Sequence, residues 1–547
     1  METLVKDEQQ QVVLPKKRVH KTPRLLVADA YTVGADLFQS AEAKEKSVYY
    51  VVFRRELVKI NPDLYEKGDN RIVFGGLQRI LERLFYTPIT HEEIDATIEF
   101  LKTFKVATNG LKPYKFNEQM WRRVVDEFNG RPPISIHAMP EGSVVYPGEP
   151  VIQIKSLQNG FGELAAWFES KILQVWATSE RITQNEHWFK KMKRMVRMVD
   201  PNLPEEQVNF FASLMLHDFG DRAGMNEMES EDLGMAHLYT FSGTDTCAGG
   251  YQAFMNSNKT PGLAVSVNAL AHRNVQAFDL EQDCYKTIYE SAEDGDIISM
   301  VADCYDFFYA VKNYLLPLAL RSKNEGTNKV VVARPDSGDA LEQVLYVCRL
   351  AVENGLYEER EINGKKWKFA TTLHFIEGDG MDFATMEKII TALLVEGFVP
   401  YSWGLFGVGG GLRNGLKRDN FGAKYALCAK SAVELPVVKL SETIGKTTLP
   451  GPFKVLRSPE ALAAKKTVVF DVEDGQNAMV EYFNGARIFK PFGPGQDDDF
   501  LTIKNRIRQQ FESMPTNLDT EHGAPASDRV VETRRALVKR YAPSKNI

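Results

Sequence analysis

Residues 329–355 read KVVVARPDSGDALEQVLYVCRLAVENG, and this stretch indicates the fold class. The apolar run at 329–333 predicts a short buried strand, and apolar residues recur at helical spacing from Leu341 to Leu350, after a polar loop. Residues 373–394, LHFIEGDGMDFATMEKIITALL, repeat the same order of strand, acidic glycine-containing loop and helix. Repeated units of this kind predict an α/β barrel-like domain, with a site at the loop ends of its strands.

The chain divides by composition into a barrel-like part and a β-rich part. The α/β pattern covers residues 165–420. Residues 132–156 contain short apolar runs split by Pro-Glu-Gly and Pro-Gly turns, which favours β structure. We therefore expect a second, β-rich domain with flanking helices over 23–164, completed by 421–514. The predicted appendages are a charged N-terminal arm at 1–22 and a polar C-terminal extension at 515–547.

The composition indicates an enzyme-sized cytoplasmic protein. The 547 residues are 44% hydrophobic and 26% charged, which is enough to bury a substantial core. A net charge of −6 argues against a general nucleic-acid partner, which would need a basic face. The five cysteines form no C-x-x-C pair, so neither a disulfide framework nor a zinc site is predicted. No continuous run of about 18 apolar residues occurs, so we expect no membrane partner.

Two neighbouring motifs carry residues suited to a small aromatic ligand. They are LHDFGDRAG at 216–224 and FSGTDT at 241–246. Phe219 can stack on a planar heterocycle, while Arg222 and Asp245 can orient it and form hydrogen bonds with it. The alternative for Phe219 is a place in the apolar core, where most phenylalanines lie.

Two glycine-rich loops predict a phosphate site. Glycines at 378 and 380 in one loop, and at 407 and 409–411 in the other, let backbone amides converge on phosphate oxygens. The second loop does not have the spacing of the dinucleotide fingerprint G-x-G-x-x-G. Charges stand beside both loops, namely Asp379 at the first and Arg413 or Arg418 at the second. Two such loops in successive units favour phosphate binding over simple turns.

Three aspartates follow apolar runs, each in its own loop. Asp303 lies in VADCYD at 301–306, Asp336 in RPDSGD at 334–339, and Asp379 in EGDGMD at 377–382. Carboxylates in these places can bind Mg²⁺ through water or hold sugar hydroxyls. The alternative for each is capping of the following helix. His272 can likewise be a structural histidine.

The sequence of these segments resembles that of the nicotinamide phosphoribosyltransferase family of type II phosphoribosyltransferases. The shared motifs are LHDFGxR, GTDT, SV followed by a histidine, VADCYD, RPDSG, GDGxD, and GGGL followed by RD, between about Leu26 and Ile507. The resemblance implies an irregular α/β barrel-like phosphoribosyltransferase domain with a second, β-rich domain. It also implies that nicotinamide and 5-phosphoribosyl 1-diphosphate are converted to nicotinamide mononucleotide and diphosphate, for NAD biosynthesis or salvage.

The resemblance further implies Mg²⁺ as cofactor and ATP as co-substrate or activator. His272, Asp303 and Asp336 would be the catalytic residues: the histidine phosphorylated during ATP-coupled turnover, the aspartates organising Mg²⁺–diphosphate and ribose. Tyr31 would come from the partner subunit and enclose the ring against Phe219, which implies a homodimer with shared active sites. The implied substrate-binding residues are Asp29, Tyr31, Phe219, Arg222, Asp245, Ser266, Arg334, Gly378, Asp379, Gly409, Gly410 and Arg418, with Arg55 and Lys424 as further basic residues.

Some positions depart from the family pattern and keep other functions open. Asp221 stands where relatives have an aromatic residue, and Ala271 precedes the histidine in place of a glutamate. Asn268 replaces a proline. Residues 439–451, KLSETIGKTTLPG, look more like nicotinate phosphoribosyltransferase, which is therefore the first alternative. The others are a catalytically silent nicotinamide- or nucleotide-binding regulator and a phosphate-handling barrel hydrolase or isomerase.

Overall fold

The computed structural model describes residues 21–34, 39–106, 111–413, 415–441, 447–485, 498–518 and 523–544. Almost all of the predicted arm at 1–22 lies outside these ranges, and so do residues 442–446 of the segment that resembles nicotinate phosphoribosyltransferase. None of the helices in the described part of the chain is long and apolar enough to cross a lipid bilayer.

The central element is a seven-stranded sheet in which every pair of neighbouring strands is parallel. The apolar runs form its strands because both faces are covered, as the burial of the successive residues Val331 and Val332, at 0% and 2% exposure, illustrates. Helices alternate with the strands along the chain, as predicted for an α/β barrel-like domain. In spatial order the strands are Asn268–Ala269, Ile297–Val301, Val330–Arg334, Leu373–Glu377, Gly404–Val408, Leu216–Asp218 and Gly243–Thr244.

One short segment connects the two edges of the parallel sheet. Val265 pairs with Gly243 at one edge, and Asn268–Ala269 pairs with Ile298 and Ser299 at the other. The sheet therefore curls into an irregular barrel rather than remaining flat. Ser266 lies within this connecting segment and His272 directly after it.

A six-stranded antiparallel sheet forms the β-rich part. Ser47–Val52 pairs with Lys424–Lys430, and Ile134–Ala138 pairs with Val480–Asn484. The sheet thus contains strands from both before and after the barrel sequence. Its spatial order is Leu435–Pro436, Lys424–Lys430, Ser47–Val52, Pro150–Ser156, Ile134–Ala138 and Val480–Asn484. The remaining strands are Ile72–Val73, Lys105–Val106, Lys112–Pro113, Val144–Val145, Tyr357–Ile362, Lys365–Ala370, Phe453–Val455 and Val468–Phe470.

Helices cover both sheets, and the 25-residue helix Val175–Val199 contacts elements of both parts. The C-terminal helix Asp528–Tyr541 buries Val530 and Val531 in one apolar cluster with Tyr50. The other helices are Ala30–Val33, Ala41–Glu45, Leu77–Phe85, His91–Thr103, Glu118–Phe128, Gly162–Trp167, Glu169–Ile172, Glu205–Leu214, Glu227–Leu238, Cys247–Met255, His272–Gln276, Glu281–Ser291, Phe307–Ala310, Leu316–Glu325, Ala340–Glu353, Phe383–Val395, Pro400–Trp403, Arg418–Phe421, Pro459–Ala463 and Phe500–Ser513.

Candidate active site

A cavity of about 950 Å³ lies at the carboxyl ends of the parallel strands. The motifs singled out in the sequence meet there because parallel strands direct their following loops to one side. Its lining residues are Phe219, Asp221, Arg222, Ala223, Asp245, Ala271, His272, Arg273, Arg334, Asp336, Gly378, Asp379, Gly380, Met381, Asp382, Gly409, Gly410 and Gly411.

The Phe219 ring lies against the backbone of Gly407. A Cβ atom at Gly407 would fall 1.9 Å from Phe219 Cε2, so only glycine allows this contact. The Phe219 amide also donates a hydrogen bond to Val408 O over 3.0 Å. The ring is therefore fixed beside the second glycine loop and forms part of the cavity wall, rather than joining the apolar core.

Asp245 and Ser266 form a polar pair in the same cavity region. The Ser266 hydroxyl donates a hydrogen bond to Asp245 Oδ1, and the Asp245 amide donates to Asp218 O over 2.9 Å. Partial burial raises the pKa of the Asp245 carboxyl, while the Ser266 hydrogen bond and the charge of Arg334 act in the opposite direction. The pair can accept and donate hydrogen bonds at the edge of a bound ring.

Arg334 ends its strand with one nitrogen unpartnered. Its Nη2 donates to Leu270 O over 2.9 Å, whereas its Nε is buried and has no hydrogen-bond partner among the described residues. A buried unpaired N–H is costly, so it favours an anionic or carbonyl ligand in the cavity.

In each of three loops, a second aspartate caps the next helix. Asp306 accepts from the Tyr309 amide over 3.0 Å, Asp339 from the Glu342 amide over 2.9 Å, and Asp382 from the Thr385 amide over 2.8 Å. The helices are thus capped by the aspartates that lie three residues after Asp303, Asp336 and Asp379. Those three first aspartates cap no helix, and Asp336 and Asp379 line the cavity.

His272 lies between Asp303 and Asp336. Its Nε2 is 3.1 Å from Asp303 Oδ1, and its Nδ1 is 3.7 Å from Asp336 Oδ2. The other oxygen of Asp303 accepts from the Asp336 amide over 3.1 Å and from the Ser337 hydroxyl. Two carboxylates therefore orient the imidazole, whose side chain is 38% exposed toward the cavity.

Glu377 lies beneath the first glycine loop and was not singled out in the sequence. It ends a strand and is 1% exposed. Its Oε1 accepts from the Asp379 amide over 3.1 Å, and its Oε2 is buried without a partner among the described residues. Burial, together with the charges of Asp379 and Asp336, raises the pKa of the Glu377 carboxyl to about 8. The only sequence signal was its place directly before the GDG motif.

Arg413 was one of two charges predicted beside the second glycine-rich loop of the phosphate site, but its side chain lies elsewhere. It does not line the cavity, but donates from Nη2 to Asp218 Oδ2 over 2.8 Å, and both side chains are buried. The Gly220 amide donates to the other Asp218 oxygen over 2.7 Å. The pair joins the loop that carries Phe219 to the loop that follows Gly411.

Five of the predicted substrate-binding residues do not line the cavity. Tyr31 is 60% exposed, and its hydroxyl donates to Glu169 Oε2 over 3.4 Å. Asp29, Arg418 and Lys424 act on the pKa of the same Glu169 through their charges. Arg55 is close to Gly422, where a Cβ would lie 3.1 Å from Arg55 Cγ. We call Asp29, Tyr31, Arg55, Arg418 and Lys424 the peripheral cluster.

The other predicted residues are in or next to the cavity. Ser266 and Asp303 reach it through hydrogen bonds to Asp245 and His272. Arg273 and Met381 also line it, although neither had been picked out; both sit beside motif residues, which is the only sequence signal they offered.

Two family profiles match the chain. The nicotinate phosphoribosyltransferase (NAPRTase) family matches residues 214–486, and the N-terminal domain of nicotinamide phosphoribosyltransferase matches residues 24–136. Two solved structures have the same fold at 14% identity. Human nicotinic acid phosphoribosyltransferase has a TM-score of 0.56 and covers 94% of this chain and 100% of its own. Nicotinate-nucleotide pyrophosphorylase from Pyrococcus furiosus has a TM-score of 0.53 and covers 91% and 98%.

Two bacterial relatives carry the name nicotinamide phosphoribosyltransferase. The protein from Acinetobacter baylyi is 25% identical over 408 residues, which are 70% of this chain and 77% of that protein. The protein from Xanthomonas campestris pv. campestris is 32% identical over 365 residues, which are 65% of this chain and 73% of that protein. With this degree of identity over most of a relative's length, and with matching profiles in both parts of the fold, the chain belongs to the nicotinamide phosphoribosyltransferase family of pentosyltransferases.

Proposed function

We propose that this chain transfers the phosphoribosyl group of 5-phosphoribosyl 1-diphosphate to nicotinamide, in NAD biosynthesis or salvage. The observation that carries the proposal is the Asp245–Ser266 pair, which shares one cavity with the Phe219 ring and both glycine loops. A carboxamide offers a donor to Asp245 and an acceptor to a neighbouring hydroxyl or guanidinium group. The carboxylate of nicotinate would instead meet Asp245 with like charge.

The chemistry requires positioning more than a protein nucleophile. The pyridine nitrogen attacks C1′ of the ribose, and a C–N bond forms as the bond between C1′ and the diphosphate oxygen breaks. Diphosphate leaves with that electron pair. Phe219 stacks on the ring, while Arg334 and the amides of the glycine loops bind phosphate oxygens and stabilise the separating charge.

The carboxylates fit a magnesium ion that arrives with the diphosphate. Mg²⁺ is commonly bound by one or two carboxylates together with water and substrate phosphates. No group of three or more His, Cys, Asp or Glu side chains among the described residues could hold a metal by itself. Of the two aspartates expected to organise Mg²⁺, Asp336 is available to such an ion, whereas Asp303 is only 7% exposed and already hydrogen-bonded. The ion would assist departure of the diphosphate.

ATP stimulation would act through His272. Asp303 and Asp336 lie on either side of the imidazole and can orient it. Transfer of the γ-phosphoryl group of ATP to one ring nitrogen would release ADP and require the carboxylate at that nitrogen to move away. The departure at Ala271 removes a carboxylate that relatives place beside this histidine. We propose that His272 still accepts a phosphoryl group from ATP, with the aspartate at the other ring nitrogen holding the imidazole in place.

The peripheral cluster supports a homodimer with shared active sites. Its cations and the exposed Tyr31 do not line the cavity of their own chain, although the resemblance to the family implies that they bind substrate. A two-fold arrangement would place the cluster of one subunit at the cavity of the other. Tyr31 of the partner subunit would then close the ring site opposite Phe219.

The test is a product assay with purified protein, 5-phosphoribosyl 1-diphosphate and Mg²⁺, with nicotinamide and nicotinate supplied in separate reactions. We expect nicotinamide mononucleotide and diphosphate in equal amounts, and a much lower kcat/KM with nicotinate. A preference for nicotinate would establish the alternative that residues 439–451 keep open. If neither substrate yields a mononucleotide although the protein binds nicotinamide, the chain would be the catalytically silent regulator.

A further inference from the structure

A second cavity of about 560 Å³ lies outside the active site and shares no lining residue with it. It lies between the C-terminal half of helix Val175–Val199 and helices Glu205–Leu214 and Phe500–Ser513. This volume is in the range of sites for small organic ligands.

The walls of this cavity combine apolar surface with positive charge. Phe189 and Phe511 are nearly buried, at 5% and 6% exposure, and Met198 is open to solvent. The guanidinium group of Arg71 lies over the Phe511 ring, 4.2 Å from its centre. An alkyl or aromatic body can pack against these side chains.

All but one of the cations that line the cavity are already paired with carboxylates. Arg71 pairs with Asp69, and Lys190 pairs with Asp69 and Glu66. The same holds farther along the helix: Lys193 pairs with Glu205 and Glu512, Arg194 with Glu66, and Arg197 with Glu205. Because these cations are paired, the cavity wall has little net positive charge with which to attract a ligand that carries several negative groups.

Arg508 is the exception. Among the described residues it forms no ion pair or hydrogen bond, and its Nε is enclosed without a partner. Glu186 also lines the cavity; burial raises the pKa of its carboxyl, and the charge of Arg508 acts in the opposite direction. This carboxyl is buried and accepts a hydrogen bond from the Thr240 hydroxyl over 2.6 Å, not from Arg508. An enclosed guanidinium nitrogen without a partner is costly, and a bidentate anion would satisfy it.

We propose that this cavity binds an amphipathic organic monoanion, whose single carboxylate pairs with Arg508 and whose alkyl or aromatic body packs against Phe189 and Phe511. A single negative charge matches the single unpaired cation, which distinguishes this ligand from a diphosphate or a nucleotide. The site is independent of the proposed transferase activity, because no residue is common to the two cavities.

The test measures binding to the full chain with 8-anilinonaphthalene-1-sulfonate, a fluorescent aromatic monoanion. We expect decanoate to displace the probe, while decanol and decyltrimethylammonium at the same concentration do not. Saturating nicotinamide should leave the bound probe in place. Displacement by nicotinamide, or equal displacement by the anion and the cation, would overturn the proposal.

Matched variants locate the site. Arg508→Gln should weaken decanoate binding about tenfold, which corresponds to the loss of one charge-assisted hydrogen bond. Arg535→Gln, on the exposed face of the C-terminal helix, should have no effect. If Arg508→Gln does not fold, Asn209→Trp fills the same cavity from a partly exposed position and should abolish binding. Unchanged binding in a folded Arg508→Gln or Asn209→Trp protein would refute the site.

Discussion

At the scale of single residues, Asp245 is expected to set the choice between nicotinamide and nicotinate. Two unit charges about 4 Å apart repel by on the order of 4 kcal/mol at an effective dielectric of about 20, before relaxation or protonation reduces this. Asp245→Ser should therefore narrow the ratio of kcat/KM values by at least about tenfold, mainly by improving nicotinate. Steady-state assays with both substrates measure this ratio. Asp294→Ser, at an exposed position outside the cavity, serves as control. An unchanged ratio would assign the selectivity to another residue.

His272 is expected to couple ATP to turnover without taking part in the attack on C1′. His272→Ala should abolish ATP stimulation and acid-labile phosphate on the protein, while phosphoribosyl transfer without ATP stays measurable. The readouts are rates with and without ATP and incorporation of labelled phosphate. His91→Ala, at a surface histidine, should leave both unchanged. If wild-type protein incorporates no phosphate, His272 has a structural role.

Glu377 is expected to make stability fall as the pH rises. Its pKa is about 8 in the folded chain against an ordinary value near 4.5, so between these values the folded state holds a proton that the unfolded state has lost. The free energy of unfolding therefore decreases by up to about 1.4 kcal/mol per pH unit through this window.

Glu377→Gln should remove that dependence, because the amide oxygen still accepts from the Asp379 amide but does not ionise. Urea unfolding at pH 6 and pH 9 should show the variant gaining stability relative to wild type at the higher pH. Glu353→Gln, at an exposed position, should follow wild type at both values. Parallel pH profiles for wild type and Glu377→Gln would show that the carboxyl is ionised throughout.

At the scale of elements, the repeated pair of aspartates separates function from helix stability. Asp336→Asn should lower kcat/KM about a hundredfold or more, because it removes the carboxylate proposed to hold the magnesium ion of the diphosphate, and it should change unfolding little. Asp339→Ala should cost about 1 kcal/mol of stability through loss of the cap and should retain most activity. Paired kinetic and unfolding measurements distinguish the two. Asp339→Asn keeps a capping side chain and should restore stability. Equal effects of Asp336→Asn and Asp339→Ala on kcat/KM would refute this division.

At the scale of the whole molecule, the peripheral cluster predicts an active site completed by the partner subunit. Tyr31→Ala should mainly raise the KM for nicotinamide, because stacking between aromatic faces contributes roughly 0.5–1.5 kcal/mol beyond burial. Phe219→Ala damages the same ring site from within the chain.

Mixing Tyr31→Ala and Phe219→Ala subunits under exchange tests the sharing directly. Each heterodimer would contain one site with both changes and one intact site, so at nicotinamide concentrations below the KM of either variant the activity should return to about half of the wild-type value per dimer. Self-mixed samples of each variant are the controls. Confirmed heterodimers without recovered activity would exclude an active site shared in this way.

The sequence alone determined the architecture of the barrel and most of the residues that line its cavity. Apolar runs, helical spacing and acidic glycine loops are local signals, and parallel strands bring the loops that follow them to one side of the sheet. Phe219, Asp245, Arg334 and the glycine loops could be predicted to meet for this reason. The family motifs added the peripheral cluster, which no periodicity in the chain indicated.

Only the tertiary structure decided which of two similar residues has which environment. Asp303 and Asp336 are chemically identical in the sequence, and only the fold leaves the side chain of the first 7% exposed and that of the second 35% exposed beside His272. Burial of Glu377, the pairing of Arg413 with Asp218 and the unpaired nitrogen of Arg508 depend on segments distant along the chain. Local patterns act over a few residues, whereas burial and electrostatic environment are set by the packing of elements that only folding brings together.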